Sequence, residues 1–134
     1  MKQGNISEVN FYEQATLGKI RQAITDVSNE LGPWLDDGIY EACLRKEFSH
    51  QGIGYIRIHS FPFFYKGERV EDTGFRFNLI VEDMVLVEVN SLVEWNPEYE
   101  YLMKRNLAVC KKGHCLSVNF RAESESELIH HVKI

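Results

Sequence analysis

Apolar residues near the N-terminus follow the period of an α-helix. They recur at steps of three and four, which places them on one helical face: Leu17, Ile20, Ile24, Val27 and Leu31. The Gly32-Pro33 pair then ends this first helix. A second helix is predicted to start with Asp36 or Asp37 as its N-cap and to run through Phe48. Two consecutive helices therefore precede the first strand.

From Ile53 the period changes to two, which is typical of β-strands. Ile56 and Ile58 alternate with other residue types in a first strand, which breaks near Pro62. A turn at Lys66-Gly67 follows. Beyond it lie two further alternating runs, Phe75, Phe77, Leu79 and Val81, then Val85, Val87 and Val89. These two runs, separated by a short polar turn, predict a β-hairpin.

The remaining elements complete an α/β fold. Asn96-Pro97 supplies an N-cap and a proline at the first helical position, so a third helix is expected to follow. A fourth strand is indicated by alternating apolar residues, Leu116, Val118 and Phe120. Residues 128–134 can add a closing strand. The order of elements predicts a single α/β domain over residues 1–134, with a mixed central sheet flanked by helices.

The register of the predicted hairpin decides which polar side chains lie together. With a three-residue turn over Glu82-Asp83-Met84, the apolar residues of both strands share one face, whereas a two-residue turn would mix the faces. The three-residue register pairs Asn78 with Glu88 on the other face and brings Arg76 across from Asn90. The pattern thus gathers two amides, a carboxylate and a guanidinium on one patch. The alternative interpretation is an ordinary solvated sheet face.

Composition and charge narrow the class of protein. A chain of 134 residues with 44% hydrophobic and 26% charged residues fits one soluble globular domain. The sequence has neither a long apolar run nor the apolar core of a signal peptide, so we expect no membrane span and a cytoplasmic location. The net charge of -5 does not favour a broad phosphate-binding surface, although a local basic groove could still bind nucleic acid.

Cysteine and histidine spacing favours buried thiols over a metal site. The chain has three cysteines, Cys43, Cys110 and Cys115. They form no CxxC pair, so reduced core thiols are expected rather than disulfides. The alternative is a zinc site formed by the last two cysteines with His114, His130 and His131, but this spacing matches no common zinc pattern.

Several short motifs extend from Leu31 to Phe120, roughly two thirds of the chain. They are Leu31-Gly32-Pro33, Tyr40 to Glu47, Tyr65-Lys66-Gly67, Phe77 to Asp83, Val87 to Asn90, Tyr101-Leu102 and Asn119-Phe120. In their order and spacing they resemble the small bacterial GxxExxY proteins, a branch of the PD-(D/E)XK nuclease-like superfamily. The resemblance implies a restriction-endonuclease-like core and a metal-dependent nuclease site.

Carried over residue by residue, the family's site falls on both hairpin strands and on the second helix. The family's Asp corresponds to Asn78, its Glu-x-Lys to Glu88-Val89-Asn90, and its helical Glu to Asp37. The glycine of the GxxExxY motif falls on Trp34, and the family's Gln near the third helix falls on Pro97. Only Glu88 is unchanged.

These substitutions change what the site can do. Mg²⁺ is held by carboxylate oxygens and water, and Asn78 offers only a neutral carbonyl oxygen. Asn90 cannot act as a cation or as a general base. The resemblance therefore predicts a non-catalytic binding or interaction protein without a firmly bound cofactor. The alternative is a weak Mg²⁺- or Mn²⁺-dependent DNA or RNA endonuclease with Glu88, Asp37 and Asn78 as low-affinity ligands.

Two neighbouring residues could compensate for the substitutions. Arg76 could supply the missing positive charge, although a guanidinium cannot deprotonate a water. Asp36 could replace Asp37 if the helix starts one residue later. The tryptophans Trp34 and Trp95 are expected to pack. The family also suggests a homodimer formed through strand edges or the hairpin region, and the sequence identifies no other partner.

Overall fold

The computed structural model describes residues 2–70, 77–91 and 95–134, with side chains from residue 11 onward in those ranges. Within them lie three α-helices, α1 (Lys2–Leu31), α2 (Asp37–His50) and α3 (Pro97–Cys110). The strands are β1 (Tyr55–Ile58), β2 (Phe63–Tyr65), β3 (Glu68–Val70), β4 (Phe77–Val81), β5 (Val85–Val89), β6 (His114–Val118) and β7 (Ile129–Lys133). None of the helices in these ranges is long and apolar enough to cross a membrane.

Five of the strands form one mixed sheet in the order β1, β4, β5, β6, β7. β5 and β6 run parallel and are connected through α3, whereas the other neighbouring pairs are antiparallel. A parallel pair needs a long crossover, and the helix supplies it. The predicted α/β fold, with a mixed sheet flanked by helices, is confirmed.

Helices α1 and α2 cover one face of this sheet. Their buried residues include Leu17, Ile20, Ile24 and Val27 of the predicted helical stripe, together with Tyr40, Leu44 and Phe48 of α2, whereas Leu31 is only partly buried. They pack on the apolar stripe of the hairpin, Leu79, Val81, Val85, Val87 and Val89. Phe77, at the end of this stripe, is only partly buried. The hydrophobic alternation in the sequence therefore identified the correct face.

Helix α3 covers the other face. Met103 and Leu107 pack against Ile80, Leu86 and Cys115 in a second, smaller apolar cluster. The helix begins as predicted, because the Oδ1 atom of the N-cap Asn96 accepts a hydrogen bond from the backbone N–H of Glu98 at 2.9 Å, with proline at the first helical position. Both faces of the central strands are consequently buried.

The turn between β4 and β5 has the predicted three residues. Val81 pairs with Val85, and Asn78 lies opposite Glu88. The turn residues Glu82 and Asp83 both have positive φ angles, of 54° and 52°. Glycine adopts this conformation most readily, but a glutamate and an aspartate occupy the two positions, so the turn has no glycine signal in the sequence.

Two features differ from the sequence-based expectation. The turn at Lys66-Gly67 joins β2 and β3, a separate two-stranded hairpin whose six strand residues are all exposed. Trp34 does not pack, since it is 84% exposed. It lies in the short link between α1 and α2, where the adjacent Leu35 faces the core and turns the indole outward.

Candidate functional site

A row of polar side chains crosses the sheet on the face that α3 covers. Asn78 on β4 pairs with Glu88 on β5. Glu88 pairs in turn with Ser117 on β6, and Ser117 pairs with His130 on β7. The first three are at most 2% exposed. We call Asn78, Glu88, Ser117 and His130 the polar row. Its first two members were predicted from the hairpin register, and the neighbouring strands extend it.

Glu88 is fully buried and bonded to α3. The Nδ2 atom of Asn106, which is equally buried, donates a hydrogen bond to Oε1 of Glu88 at 3.0 Å. The Oδ1 atom of Asn106 accepts a hydrogen bond from Arg105 at 3.1 Å. A carboxylate removed from water is costly unless hydrogen bonds compensate its charge. Asn106 therefore helps to hold Glu88 inside the core.

Asn90 directly follows β5 and forms hydrogen bonds to the neighbouring strand β6. Its backbone N–H donates to the carbonyl of Val118 at 2.9 Å, and its Nδ2 atom donates to Oγ of Ser117 at 2.8 Å. Its Oδ1 atom is buried and accepts no hydrogen bond from the residues that the structure describes. Asn90 thus links the end of β5 to the polar row without contributing charge.

Asp37 reaches the same end of β5 from the opposite face of the sheet. It is the first residue of α2, is half-buried, and accepts a hydrogen bond from the hydroxyl of Ser91. The adjacent Gly38 lies against Phe77, and a Cβ atom there would be 3.3 Å from the ring. Asp36 is the exposed N-cap, and its side chain makes no capping hydrogen bond. Of the two aspartates, only Asp37 is tied to the hairpin.

These side chains do not fit a Mg²⁺ or Mn²⁺ site, which requires several carboxylate and water oxygens. Glu88 is the one carboxylate of the polar row, and its Oε1 atom already accepts from Asn106. No three His, Cys, Asp and Glu side chains among the described residues are arranged to hold a metal ion. Arg76, the predicted source of positive charge, lies outside the described residues.

The thiols near Glu88 are held protonated. Burial raises the pKa of Cys115 well above its ordinary value, and the Glu88 carboxylate raises it further. Burial also raises the pKa of Cys110. All three cysteines are free thiols, of which Cys115 is buried and Cys43 and Cys110 are partly buried.

The residues of the alternative zinc site lie on two faces of the sheet. Nδ1 of His114 and Nε2 of His131 are 3.0 Å apart on the side of α1. Cys115 and His130 point to the side of α3, because successive side chains of a strand alternate between faces. The strand period therefore separates residues that are close in sequence.

Several residues at the site were not identified from the sequence. Asn106 carried a signal, since it is a polar residue on the apolar face of α3. Ser117 and Ser91 carried no such signal in the sequence, because their contacts depend on how elements far apart in the chain come together. Trp95 stacks on the ring of His130, with centroids 4.2 Å apart, and so lines one end of the polar row.

Comparison with known protein families identifies the family of this chain. A sequence model described as the PD-(D/E)XK nuclease superfamily matches residues 14–132. No curated protein and no solved structure matches the chain significantly. The match begins within α1, ends near the end of β7 and includes every residue of the polar row.

Proposed function

The chain belongs to the PD-(D/E)XK nuclease superfamily, and on that premise we propose that it is a non-catalytic binding protein derived from the nuclease fold. In this proposal the chain is a member of the GxxExxY branch. A packed polar core stands where the nucleases of that branch bind their metal ion. The fold alone does not decide this question, because one fold hosts many functions.

The burial of Glu88 carries the proposal. A metal-binding carboxylate must offer its oxygens to the ion and to the phosphate of the substrate. Glu88 is 0% exposed, and Oε1 accepts a hydrogen bond from an amide of α3. Metal binding at that oxygen would require Asn106 to leave a buried position. The Glu88 carboxylate is thus used to bond β5 to α3.

The two amides of the site support the same conclusion. Asn78 lies directly opposite Glu88 and is 2% exposed, so the pair carries one carboxylate rather than two. Asn90 bonds to Ser117 and cannot supply the cation that would position an attacking water. The loss of both charged groups is expected to abolish hydrolysis, because groups of one catalytic unit act together.

One observation favours the alternative of a weak Mg²⁺- or Mn²⁺-dependent nuclease. Asp37 is a half-buried carboxylate bonded to Ser91, just beyond Asn90. A rearranged site could combine Asp37 with Glu88 and Asn78. The experiment below separates the two functions.

Cleavage of supercoiled plasmid DNA and of single-stranded RNA would be followed in excess Mg²⁺ or Mn²⁺. The wild-type protein, Glu88→Ala and Glu100→Ala would be compared. Glu100 is the matched control, since it is a solvent-accessible carboxylate of α3, 3.4 Å from Lys104 and remote from the polar row. We expect none of the three proteins to cleave either substrate. Wild-type cleavage that is lost in Glu88→Ala and kept in Glu100→Ala would contradict the proposal.

A restoration experiment tests whether the site geometry survives. In the double variant Asn78→Asp, Asn90→Lys a second carboxylate stands opposite Glu88, so we expect calorimetry to detect tighter Mn²⁺ binding than in the wild type. Micromolar Mn²⁺ binding by the wild type, abolished in Glu88→Ala, would instead favour the nuclease.

A further inference from the structure

The outer edge of β1 has the features of a protein interface. β1 is the first strand of the five-stranded sheet and pairs only with β4 among the described strands. Ile56, in its middle, is 63% exposed. Natural edge strands are usually protected by charges, prolines or bulges, and of the four residues of β1 only Arg57 is charged.

The backbone of β1 presents hydrogen-bonding groups outward at two positions. The carbonyl of Gly54 accepts from the N–H of Glu82, so Gly54 turns its backbone groups toward β4. Alternate residues of a strand turn their groups to the same side. The backbone N–H and C=O groups of Ile56 therefore also point toward β4. Those of Tyr55 and Arg57 point away from the sheet.

A groove lies beside this edge on the face that carries Ile56. It has a volume of about 410 Å³ and is lined by Gly54, Tyr55, Ile56, Ile80, Glu82 and Asp83. Ile56 pairs with Ile80 across the two strands, so the floor of the groove is apolar. One end of the groove is formed by Glu82, whose Oε2 atom accepts a hydrogen bond from the backbone N–H of Gly54 at 3.2 Å, and by Asp83, which pairs with Lys112 at 2.7 Å.

We propose that β1 pairs with β1 of a second copy of this chain, antiparallel and centred on Ile56. This register places Ile56 against Ile56 of the partner subunit and joins the apolar floors of the two grooves. It also places Tyr55 opposite the partner's Arg57, where the outward backbone groups of both residues can form hydrogen bonds. The interface is isologous, and the two sheets become one sheet of ten strands.

Charge and side-chain position favour this partner. Oε1 of Glu41, which is almost fully buried, lies 3.3 Å from Nε of Arg57 and holds this guanidinium at the edge of the sheet. The partner's Arg57 then lies opposite Tyr55, within reach of its ring. A register shifted by two residues would instead bring the two Arg57 side chains together, which is unfavourable.

The interface is small, so a weak dimer is expected. A single pair of four-residue strands buries less than the roughly 1,200 Å² typical of stable complexes. Sedimentation equilibrium on the full chain up to about 500 µM should therefore show a monomer–dimer equilibrium with a dissociation constant between about 10 and 500 µM. Ile56→Lys should be monomeric throughout. Phe64→Lys is the matched control, because Phe64 is 60% exposed on β2, and it should dimerise like the wild type.

A disulfide experiment tests the register directly. Ile56 and its counterpart form a pair without mutual backbone hydrogen bonds, in which Cβ atoms are about 4.5 to 5.5 Å apart. Ile56→Cys should form a covalent dimer on mild oxidation, whereas Ile134→Cys, 67% exposed near the opposite edge, should not. A monomeric wild type at every concentration, or a dimer that Ile56→Lys leaves intact, would overturn the proposal.

Discussion

The hydrogen bond between Asn106 and the buried Glu88 can be removed with little change of shape. In Asn106→Leu the side chain keeps about the same volume and faces a cluster that already contains Met103 and Leu107. The Oε1 atom of Glu88 loses its donor at a position that is 0% exposed. We therefore expect this variant to be strongly destabilised at neutral pH.

The magnitude follows from the charge of the acceptor. A hydrogen bond to a charged group contributes about 1.5 to 3 kcal/mol, more than a bond between neutral groups. Since one kcal/mol corresponds to about 4 °C in a domain of this size, Tm should fall by about 6 to 12 °C. In a Glu88→Gln background the acceptor is neutral, and the same substitution should cost only about 0.5 to 1.5 kcal/mol.

Urea denaturation measures the cost of Asn106→Leu in the wild-type background and in the Glu88→Gln background. The free energies of unfolding of wild type, both single variants and the double variant yield the coupling between the two side chains. A loss below about 0.5 kcal/mol in Asn106→Leu, or a coupling near zero, would refute the reasoning, because either result means that Glu88 does not depend on this amide.

Two further predictions concern charged groups elsewhere in the fold. Glu41 is buried, with Oε1 2.6 Å from Arg45 and 3.3 Å from Arg57, and both guanidiniums remain partly exposed to water, so Glu41→Ala should lower the free energy of unfolding by about 1.5 to 3 kcal/mol in urea denaturation. Burial lowers the pKa of His131, with smaller contributions from Arg21, His114 and Lys133. Below about pH 6.5 the unfolded chain then binds more protons than the folded chain, so stability falls as the pH drops from about 6.5 toward the folded pKa and levels off below it. Tm at pH 7.5 and pH 5 should differ less in His131→Asn than in the wild type; an unchanged difference would contradict this assignment.

Local patterns predicted the elements that position the site. The alternation in β4 and β5 was sufficient to pair Asn78 with Glu88, because a shift of one residue would have placed the apolar residues of one strand on the same face as the polar residues of the other. The start of α3 at Asn96-Pro97 was equally clear, since both residue types act through their own backbone.

Contacts between distant elements could not be predicted in this way. The bond from Asn106 to Glu88 depends on where α3 crosses the sheet, which no local pattern encodes. The hairpin of β2 and β3 has six exposed residues, so it lacks the alternation that marks a half-buried strand. The exposed indole of Trp34 likewise depends on the geometry of a short link.

Diffraction from crystals soaked in Mn²⁺ tests directly whether Glu88 is a metal ligand or a structural carboxylate. Anomalous scattering would locate a bound ion independently of any enzyme assay. We expect no anomalous peak near Glu88, with the amide of Asn106 still bonded to its Oε1 atom. An anomalous peak bridging Glu88 and Asp37, with Asn106 displaced, would contradict the non-catalytic assignment and establish a metal centre.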